Sequence, residues 1–437
     1  MSLSILLLPA AILPLILGST AFLRSPRRAA SVLLTVYVAD TICLGLPAIP
    51  FGLHVYAQDI VFVFLITAAA LRYGLALVNI ERNRIAVLAL LALVLFSFAR
   101  GTATFGFMEA GVAAREFFWL FAGTAYFSSF EYGDKRLAAM IKLWQKAACA
   151  LVALAVLRWA AAGLHMSIAA TWEDPGNPMR VLDAAQAMFL CVAFFFSLML
   201  KTSRKGRKWQ QNLYYLIGPA LILLQHRTVW VVAALGMVWM SRRNMRLLRK
   251  SLIVFGATFA LVAVLVVSTF GLDFVIESLQ FSVTSDNSFL WRVAGWYQLV
   301  FLRTAGAFNL LFGDPFGTGF TRVISTAIVE ATPHSFYVET YLRMGVVGLC
   351  ILLWFFESQF LACRRTNVES PAAGSYHNST LWGLFLLFEV AYSITYNPGY
   401  EQCIIIGIIV GLNAMKSSVP AKMKCRILPE SMLPDPS

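Results

Sequence analysis

Charge is scarce in this sequence, since only 13% of its 437 residues are Asp, Glu, Lys or Arg, whereas 59% are hydrophobic. A soluble domain carries roughly a quarter charged residues, so this composition excludes an ordinary soluble enzyme. The apolar residues form runs of about 15 to 25, close to the length that a helix needs to cross a hydrocarbon core. No run alternates in the manner of a barrel strand, so the sequence predicts a helical membrane protein.

Features that would indicate other classes are also missing. The seven cysteines are scattered and form no CxxC pair or metal-ligand spacing. The first apolar run, residues 3–23, lacks a basic segment and a clear cleavage site, so we expect a retained helix. The net charge of +13 is explained by basic loops beside a membrane better than by nucleic-acid binding.

Basic clusters divide the apolar runs and predict the topology. Under the positive-inside bias they mark cytoplasmic loops, and they lie at 24–28, 82–84, 135–136, 201–208, 242–250, 364–365 and 416–426. The sequence therefore predicts an all-α, multi-pass bundle of about 12 transmembrane helices. It also predicts one large periplasmic loop, at 272–334.

Residues 213–240 lie between two basic loops but are too few for two full spans. Two short helices that meet at Gln225-His226-Arg227-Thr228 fit this length. Broken helices at membrane depth are tolerated where they line a buried or water-filled cavity. Arg227 at such a tip is costly unless it meets an anion, and the alternative is an arginine that snorkels from a helix end.

A histidine lies at the start of a later predicted helix. Pro333 favours a helix start there, so His334 would share a face with Gly345 and Gly348. Glycines permit close helix packing, so this face should point into the bundle. The alternative is that His334 is a satisfied polar group at the membrane boundary.

Two carboxylates lie in apolar surroundings. Glu339 and Arg343 have i, i+4 spacing and are candidates to pair with each other. Glu389 lies inside an apolar run, which makes it either a functional candidate or the partner of a buried arginine or tyrosine.

The spacing around His334 resembles a known family signature. His334 and Ser335 are followed by nine residues, then Gly345, two residues and Gly348. This pattern resembles that of the O-antigen ligase and O-antigen polymerase superfamily of GT-C-like membrane glycosyltransferases. In that family it begins at the periplasmic end of a late helix, after a long periplasmic loop.

Further elements are similar to that family and occur in the same order. They are Arg180 in an earlier predicted loop, Arg227 in QHRTVW, and Arg292 with Trp296 in WRVAGW. The turn over 312–319, with Gly317 and Gly319, is similar to the family's segment before the histidine. The resemblance covers about residues 165–360 of this chain.

The resemblance implies an enzyme that moves an oligosaccharide or polysaccharide from undecaprenyl diphosphate to a sugar hydroxyl at the periplasmic face of a bacterial inner membrane. Its catalytic region would span 163–362, between N-terminal helices at 1–162 and C-terminal helices with a cytoplasmic tail at 363–437. It implies neither metal nor cofactor, and the sequence has no aspartate pair or DxD at a predicted periplasmic helix start.

The sequence does not decide which of three molecules accepts the glycan. Lipid A–core would make the chain an O-antigen ligase of lipopolysaccharide biosynthesis, which we favour. A lipid-linked repeat unit would make it an O-antigen or exopolysaccharide polymerase, and a protein acceptor is the third possibility.

The residue types fit a diphosphate-linked donor. Arginine forks match phosphate oxygens, so Arg227 and Arg292 are candidates to hold the leaving pyrophosphate. His334 is a candidate general base for the acceptor hydroxyl, or a hydrogen-bond donor to the diphosphate. The substrate-contact candidates are Arg180, Ser335, Tyr337, Trp296 and His226, and the four motif glycines are expected to be structural.

Two other classes of protein remain open. A lipid-linked oligosaccharide flippase or another transporter would also be helical and basic, but it should carry internal repeats, which the sequence does not show. A non-catalytic membrane scaffold would tolerate replacement of His334, Arg227 and Arg292.

Overall fold

The computed structural model describes most of the chain between residues 18 and 417. The described ranges are 18–43, 45–46, 49–50, 54–75, 78, 81–164, 179–241, 287–303, 306–324, 327–369 and 379–417, with isolated positions between 253 and 276. A further apolar run, at 251–271, lies largely outside these residues, as does most of the first apolar run, at 3–23.

Helices make up nearly all of the regular structure in these ranges. In the N-terminal part they are α1 (Pro26–Ile42), α2 (Ala57–Gly74), α3 (Arg82–Phe105), α4 (Phe107–Ser128), α5 (Asp134–Gly163) and α6 (Ala184–Ser203). The middle part holds α7 (Lys208–Asn212), α8 (Tyr214–Leu223), α9 (Arg227–Ser241) and α10 (Asn287–Tyr297), followed by a π-helical turn (Gln298–Leu302). The C-terminal part holds α11 (Ala307–Phe312), α12 (Phe336–Glu369), α13 (Ser379–Tyr392) and α14 (Gln402–Ser417).

Two short antiparallel hairpins complete the described structure. One pairs β1 (Ile49–Pro50) with β2 (His54–Val55), and the other pairs β3 (Arg322–Ile324) with β4 (Ala327–Val329). The prediction of an all-α protein is therefore confirmed for the described ranges.

Five helices among the described residues are long and apolar enough to cross a membrane. They are Ala57–Gly74, Asn83–Phe105, Asp134–Gly163, Ala184–Ser203 and Phe336–Arg364. Shorter apolar helices lie at Arg227–Met240, Leu381–Tyr392 and Gln402–Met415. The chain is an all-α membrane protein, and the larger number of spans stays a prediction.

The predicted break near residue 225 is confirmed. The helix α8 ends at Leu223, α9 begins at Arg227, and Gln225 adopts a left-handed backbone with φ 54° between them. The two helices have 10 and 15 residues, so each is shorter than a full membrane span.

Small residues bring α4 and α14 into close contact at the centre of the bundle. A Cβ atom at Gly123 would overlap the Sγ of Cys403, and one at Gly407 would overlap the Cβ of Phe127. Helices in lipid gain little from the hydrophobic effect, so close packing of this kind is a main source of their association.

The segment before α12 folds back onto α3. The hydroxyl of Ser97 donates to the carbonyl oxygens of Arg343 at 2.9 Å and Asp314 at 3.3 Å, and the Phe316 amide donates to the Ser97 carbonyl at 3.4 Å. A Cβ at Gly101 would overlap the Phe316 carbonyl. These contacts fix the turn that precedes His334 against a candidate span.

Candidate functional site

The turn at His334 precedes α12 and is not part of it. His334 has a left-handed backbone with φ 51°, and the helix begins at Phe336. The prediction that His334 shares a helix face with Gly345 and Gly348 is therefore wrong. The left-handed region costs a non-glycine residue roughly 1–2 kcal/mol, and such strain is concentrated at functional sites.

Ser335, and not Pro333, starts the helix. Its carbonyl oxygen accepts the Glu339 amide at 2.9 Å, and its buried hydroxyl oxygen lies 3.5 Å from the Val338 amide nitrogen. Serine is a preferred residue at this capping position. The chain enters the helix only after the left-handed residue His334.

Three other elements hold the segment around His334. The indole of Trp296 on α10 donates to the Pro333 carbonyl at 2.6 Å. The guanidinium of Arg322 on β3 donates to the carbonyls of Ala331 at 2.6 Å and Thr332 at 3.4 Å. The Phe336 amide donates to the Ser393 carbonyl, beyond the end of α13, at 3.0 Å.

Thr395 connects the predicted arginines. Its hydroxyl lies 2.7 Å from that of Thr228, the residue after Arg227. Its carbonyl accepts a hydrogen bond of 3.3 Å from the guanidinium of Arg292, which also lies 5.0 Å from the ring centre of Tyr396. The start of α9 and the side chain of Arg292 therefore meet at one short segment after α13.

His334 lies within electrostatic range of this segment. Burial lowers its pKa from the ordinary value, and the positive charges of Arg292 and Arg322 lower it further. The ring is partly exposed and hydrogen-bonds to no residue in the described ranges. An imidazole that is neutral near pH 7 and not engaged by the protein is able to accept a proton.

The earlier candidates Arg180 and His226 lie at the same end of the bundle. The buried ring of His226 has its Nε2 2.8 Å from the carbonyl oxygen of Leu182, two residues after Arg180. Arg158 on α5 donates to the neighbouring Val181 carbonyl at 2.7 Å. His226 thus fastens the tip between α8 and α9 to the chain that carries Arg180.

Tyr337 makes a contact with α13. Its hydroxyl donates to the Val390 carbonyl at 3.0 Å. Ser335 caps the helix and Tyr337 contacts α13, so the structure gives both predicted substrate contacts a role within the protein.

The motif glycine Gly345 and a second glycine, Gly313, allow backbone-to-backbone contact before and within α12. Gly345 interrupts the helix with φ 67°, and a Cβ there would overlap the carbonyl oxygen of Leu311. Gly313, with φ 75°, meets the backbone of Arg343 in the same way. The close approach expected of Gly345 is present, but its partner is the α11 turn and not a neighbouring helix face.

The other three motif positions differ in how strictly they require glycine. A Cβ at Gly348 would overlap the Cβ of Met344 across the kink. Gly317 has φ 101°, and a Cβ there would overlap the ring of Phe105. At Gly319 a Cβ would make only an ordinary contact of 3.7 Å with the hydroxyl of Thr321. The structure gives no reason for glycine at 319.

The expected pair of Glu339 and Arg343 does not form. Glu339 accepts a hydrogen bond of 2.6 Å from the amide of Asn397, which also donates to Glu116 at 3.2 Å. Arg343 donates to the Thr318 carbonyl at 2.7 Å. The two charges instead hold different loops against the start of α12.

Glu389 also lacks the partner that was considered for it. Its side chain is fully buried, and neither carboxylate oxygen accepts a hydrogen bond from a residue in the described ranges. It lines a small cavity between α3, α4 and α12 that is otherwise mostly apolar.

Three arginines that sequence reasoning missed surround a cavity of about 470 Å³ beside the His334 turn. They are Arg303, Arg322 and Arg343, and the lining also contains Asp314, which forms an ion pair with Arg303. Arg322 belongs both to this lining and to the contacts of the His334 segment. No local motif marks these arginines, because their partners are distant in sequence: loop carbonyl groups for Arg322 and Arg343, and the Asp314 carboxylate for Arg303.

Comparison with known proteins gives no assignment. No family model matches this chain, and no curated protein matches it.

Proposed function

We propose that this chain is a glycosyltransferase of the O-antigen ligase and polymerase type. It would move a glycan from undecaprenyl diphosphate to an acceptor sugar hydroxyl at the periplasmic face of a bacterial inner membrane. The proposal includes the finer topology of about 12 spans, with the His334 end of the bundle facing the periplasm.

One observation carries the proposal. A partly exposed imidazole, unengaged by the described protein and kept neutral by burial and nearby arginines, lies within electrostatic range of Arg292, whose guanidinium meets the start of α9 at Thr395. Transfer from a lipid diphosphate needs this combination, because a hydroxyl must lose a proton while a pyrophosphate departs.

The reaction is a single displacement. The acceptor hydroxyl oxygen bonds to the anomeric carbon of the donor sugar, and its proton passes to a ring nitrogen of His334. The bond from that carbon to the phosphate oxygen breaks, and its electron pair leaves with undecaprenyl diphosphate. Inversion at the anomeric carbon follows from this mechanism.

The guanidinium groups act on the leaving group. Arg292, and Arg227 at the first turn of α9, offer fixed charge and paired N–H donors to the pyrophosphate. A helix N-terminus adds partial positive charge at the same place. Arg180 is a third candidate, because its neighbour Leu182 contacts His226.

The cavity bordered by Arg322 offers room for the glycan. Its volume is about 470 Å³, and Arg322 belongs both to its lining and to the contacts of the His334 segment. A sugar chain that enters this cavity would meet the polar side chains of Arg303, Asp314 and Arg343.

The test is transfer by the purified protein in detergent, with an undecaprenyl-diphosphate-linked glycan and lipid A–core. We expect a glycan-bearing core product without any membrane gradient. A flippase or other transporter would give no product under these conditions.

The acceptor is tested in cells that lack the gene. A ligase leaves long undecaprenyl-linked chains that never reach the core. A polymerase leaves single repeat units on the core, and that outcome would change the proposed acceptor but not the reaction.

A further inference from the structure

A second charged cavity lies at the opposite end of the bundle from His334. Its volume is about 310 Å³, and it lies near the starts of α1 and α5 and the end of α6. The candidate site contacts residues 181–182, just before α6, and this cavity contacts Leu200 near its end. The 20 residues of α6 therefore separate the two by about 30 Å.

Four positive charges converge on this cavity. The basic side chains in its lining are Arg27, Lys142, Lys146 and Arg207, and the described part of the lining contains no Asp or Glu. Like charges gathered around one space repel one another, and an anion within that space would remove the repulsion. The charge pattern alone therefore favours an anionic occupant.

Two lysines near the cavity have protein partners. Lys205 lies 3.8 Å from the carboxylate of Asp134, and Lys201 donates to the side chain of Asn212 at 3.0 Å. None of the four lining side chains has a hydrogen bond or ion pair with another residue in the ranges that the structure describes. Their donors remain available to a ligand.

The floor of the cavity is fixed by a buried amide pair. The Gln210 side chain donates to that of Gln145 at 2.8 Å, and the Gln145 side chain donates to the Gln210 carbonyl at 3.1 Å. The Arg207 amide donates to the Gln210 side chain at 3.0 Å, and Gly206 adopts φ 77° to make the turn. The backbone that presents Arg207 is thus held in place before any ligand binds.

The remaining lining is apolar and belongs to candidate spans. Ala138, Ala139, Ile141 and Leu143 come from α5, and Leu200 comes from α6. A cavity with one basic and one apolar side, at the end of two candidate spans, suits a molecule with an anionic head and an apolar body. Basic pockets between transmembrane helices bind phospholipid headgroups for this reason.

We infer that this cavity binds the phosphate headgroup of an anionic phospholipid, with the lysine and arginine side chains around the phosphate and the acyl chains along α5 and α6. This inference does not depend on the proposed function, because the cavity lies at the other end of the bundle.

The test measures lipid binding to the full-length protein by native mass spectrometry, with phosphatidylglycerol, cardiolipin and phosphatidylcholine as probes. We expect wild type to retain the two anionic lipids over phosphatidylcholine. The double variant Lys142→Gln with Lys146→Gln should weaken that retention about tenfold. The matched control is Lys135→Gln with Lys208→Gln, which removes two exposed lysines near this end, outside the lining, and should leave retention unchanged.

Three outcomes would overturn the inference. Equal retention of all three lipids would show that the cavity does not select charge. An equal loss in the control variant would assign the effect to the general surface charge. Tight binding of inorganic phosphate or pyrophosphate, with no preference for a lipid, would identify a soluble anion as the ligand.

Discussion

The indole of Trp296 donates to the carbonyl of Pro333 at 2.6 Å, so a residue on α10 holds the chain immediately before His334. The sequence suggested Trp296 as a substrate contact, and the structure gives it a positioning role. The same helix carries Arg292, whose charge acts on the imidazole. The His334 turn and one guanidinium are therefore fixed relative to each other by a single helix.

Replacing Trp296 with Phe tests this positioning role. The change keeps an aromatic ring but removes one hydrogen bond, whose loss costs about 1 kcal/mol and so corresponds to a rate loss of about fivefold to tenfold. We expect kcat of glycan transfer to fall by that factor with little change in KM for the donor. A rise in KM alone would show that Trp296 binds substrate instead.

Arg227→Lys tests whether a guanidinium fork is required at the start of α9. Lysine keeps the charge but offers a point donor, so it cannot match two phosphate oxygens at once. We expect at least a tenfold loss of transfer, and a larger loss for Arg227→Ala. Arg136→Lys is the matched control, because this exposed arginine lies at the first turn of α5, at the other end of the bundle. Full activity of Arg227→Lys would show that charge alone suffices.

The dependence of transfer on pH should reveal the lowered pKa of His334. A general base acts in its neutral form, so activity should rise with pH through a midpoint below the ordinary histidine value of about 6.5 and be constant by pH 7. Arg322→Gln removes one of the charges that lower this pKa, and the midpoint should move upward.

Arg322→Lys separates charge from structure in that experiment. It keeps the positive charge while losing the geometry that holds the Ala331 and Thr332 carbonyls. Its midpoint should stay near that of wild type even if its maximal rate falls. An equal shift in both variants would mean that the profile reports a loosened loop and not the electrostatic effect.

Gly345→Ala and Gly319→Ala form a matched pair for stability. Alanine at 345 would need a left-handed backbone and would collide with the Leu311 carbonyl, whereas alanine at 319 makes only an ordinary contact with the Thr321 hydroxyl. We expect a loss of at least about 1–2 kcal/mol at 345 from the backbone conformation alone, and almost none at 319. Thermal unfolding in detergent measures both, and equal melting temperatures would contradict the close contact at Gly345.

Much of the architecture could be predicted because lipid restricts the backbone to a few solutions. The short helices α8 and α9 were predicted from the length of chain left between two basic loops. The position of His334 could not be predicted in this way. The periodicity argument assumed that His334 belongs to the helix, whereas it lies in the turn before it. A left-handed turn and the cap at Ser335 decide that geometry, and neither follows a repeating pattern.

The polar contacts of the site were the least predictable part. Arg343 had a carboxylate four residues away, yet its partner is the Thr318 carbonyl across a turn. Arg322 lies in no motif, and it acts through carbonyls that only the fold brings near. Contacts between an arginine and a loop carbonyl depend on how the loops fold, and the spacing of residues in the sequence does not predict this.

The transfer reaction of purified His334→Ala tests the central claim most directly. The assay uses detergent, an undecaprenyl-diphosphate-linked glycan and its acceptor, with His165→Ala as a control histidine outside any motif. We predict that His334→Ala loses at least a hundredfold in rate while wild type and His165→Ala remain equally active and all three elute as folded protein. Undiminished transfer by His334→Ala would contradict the account.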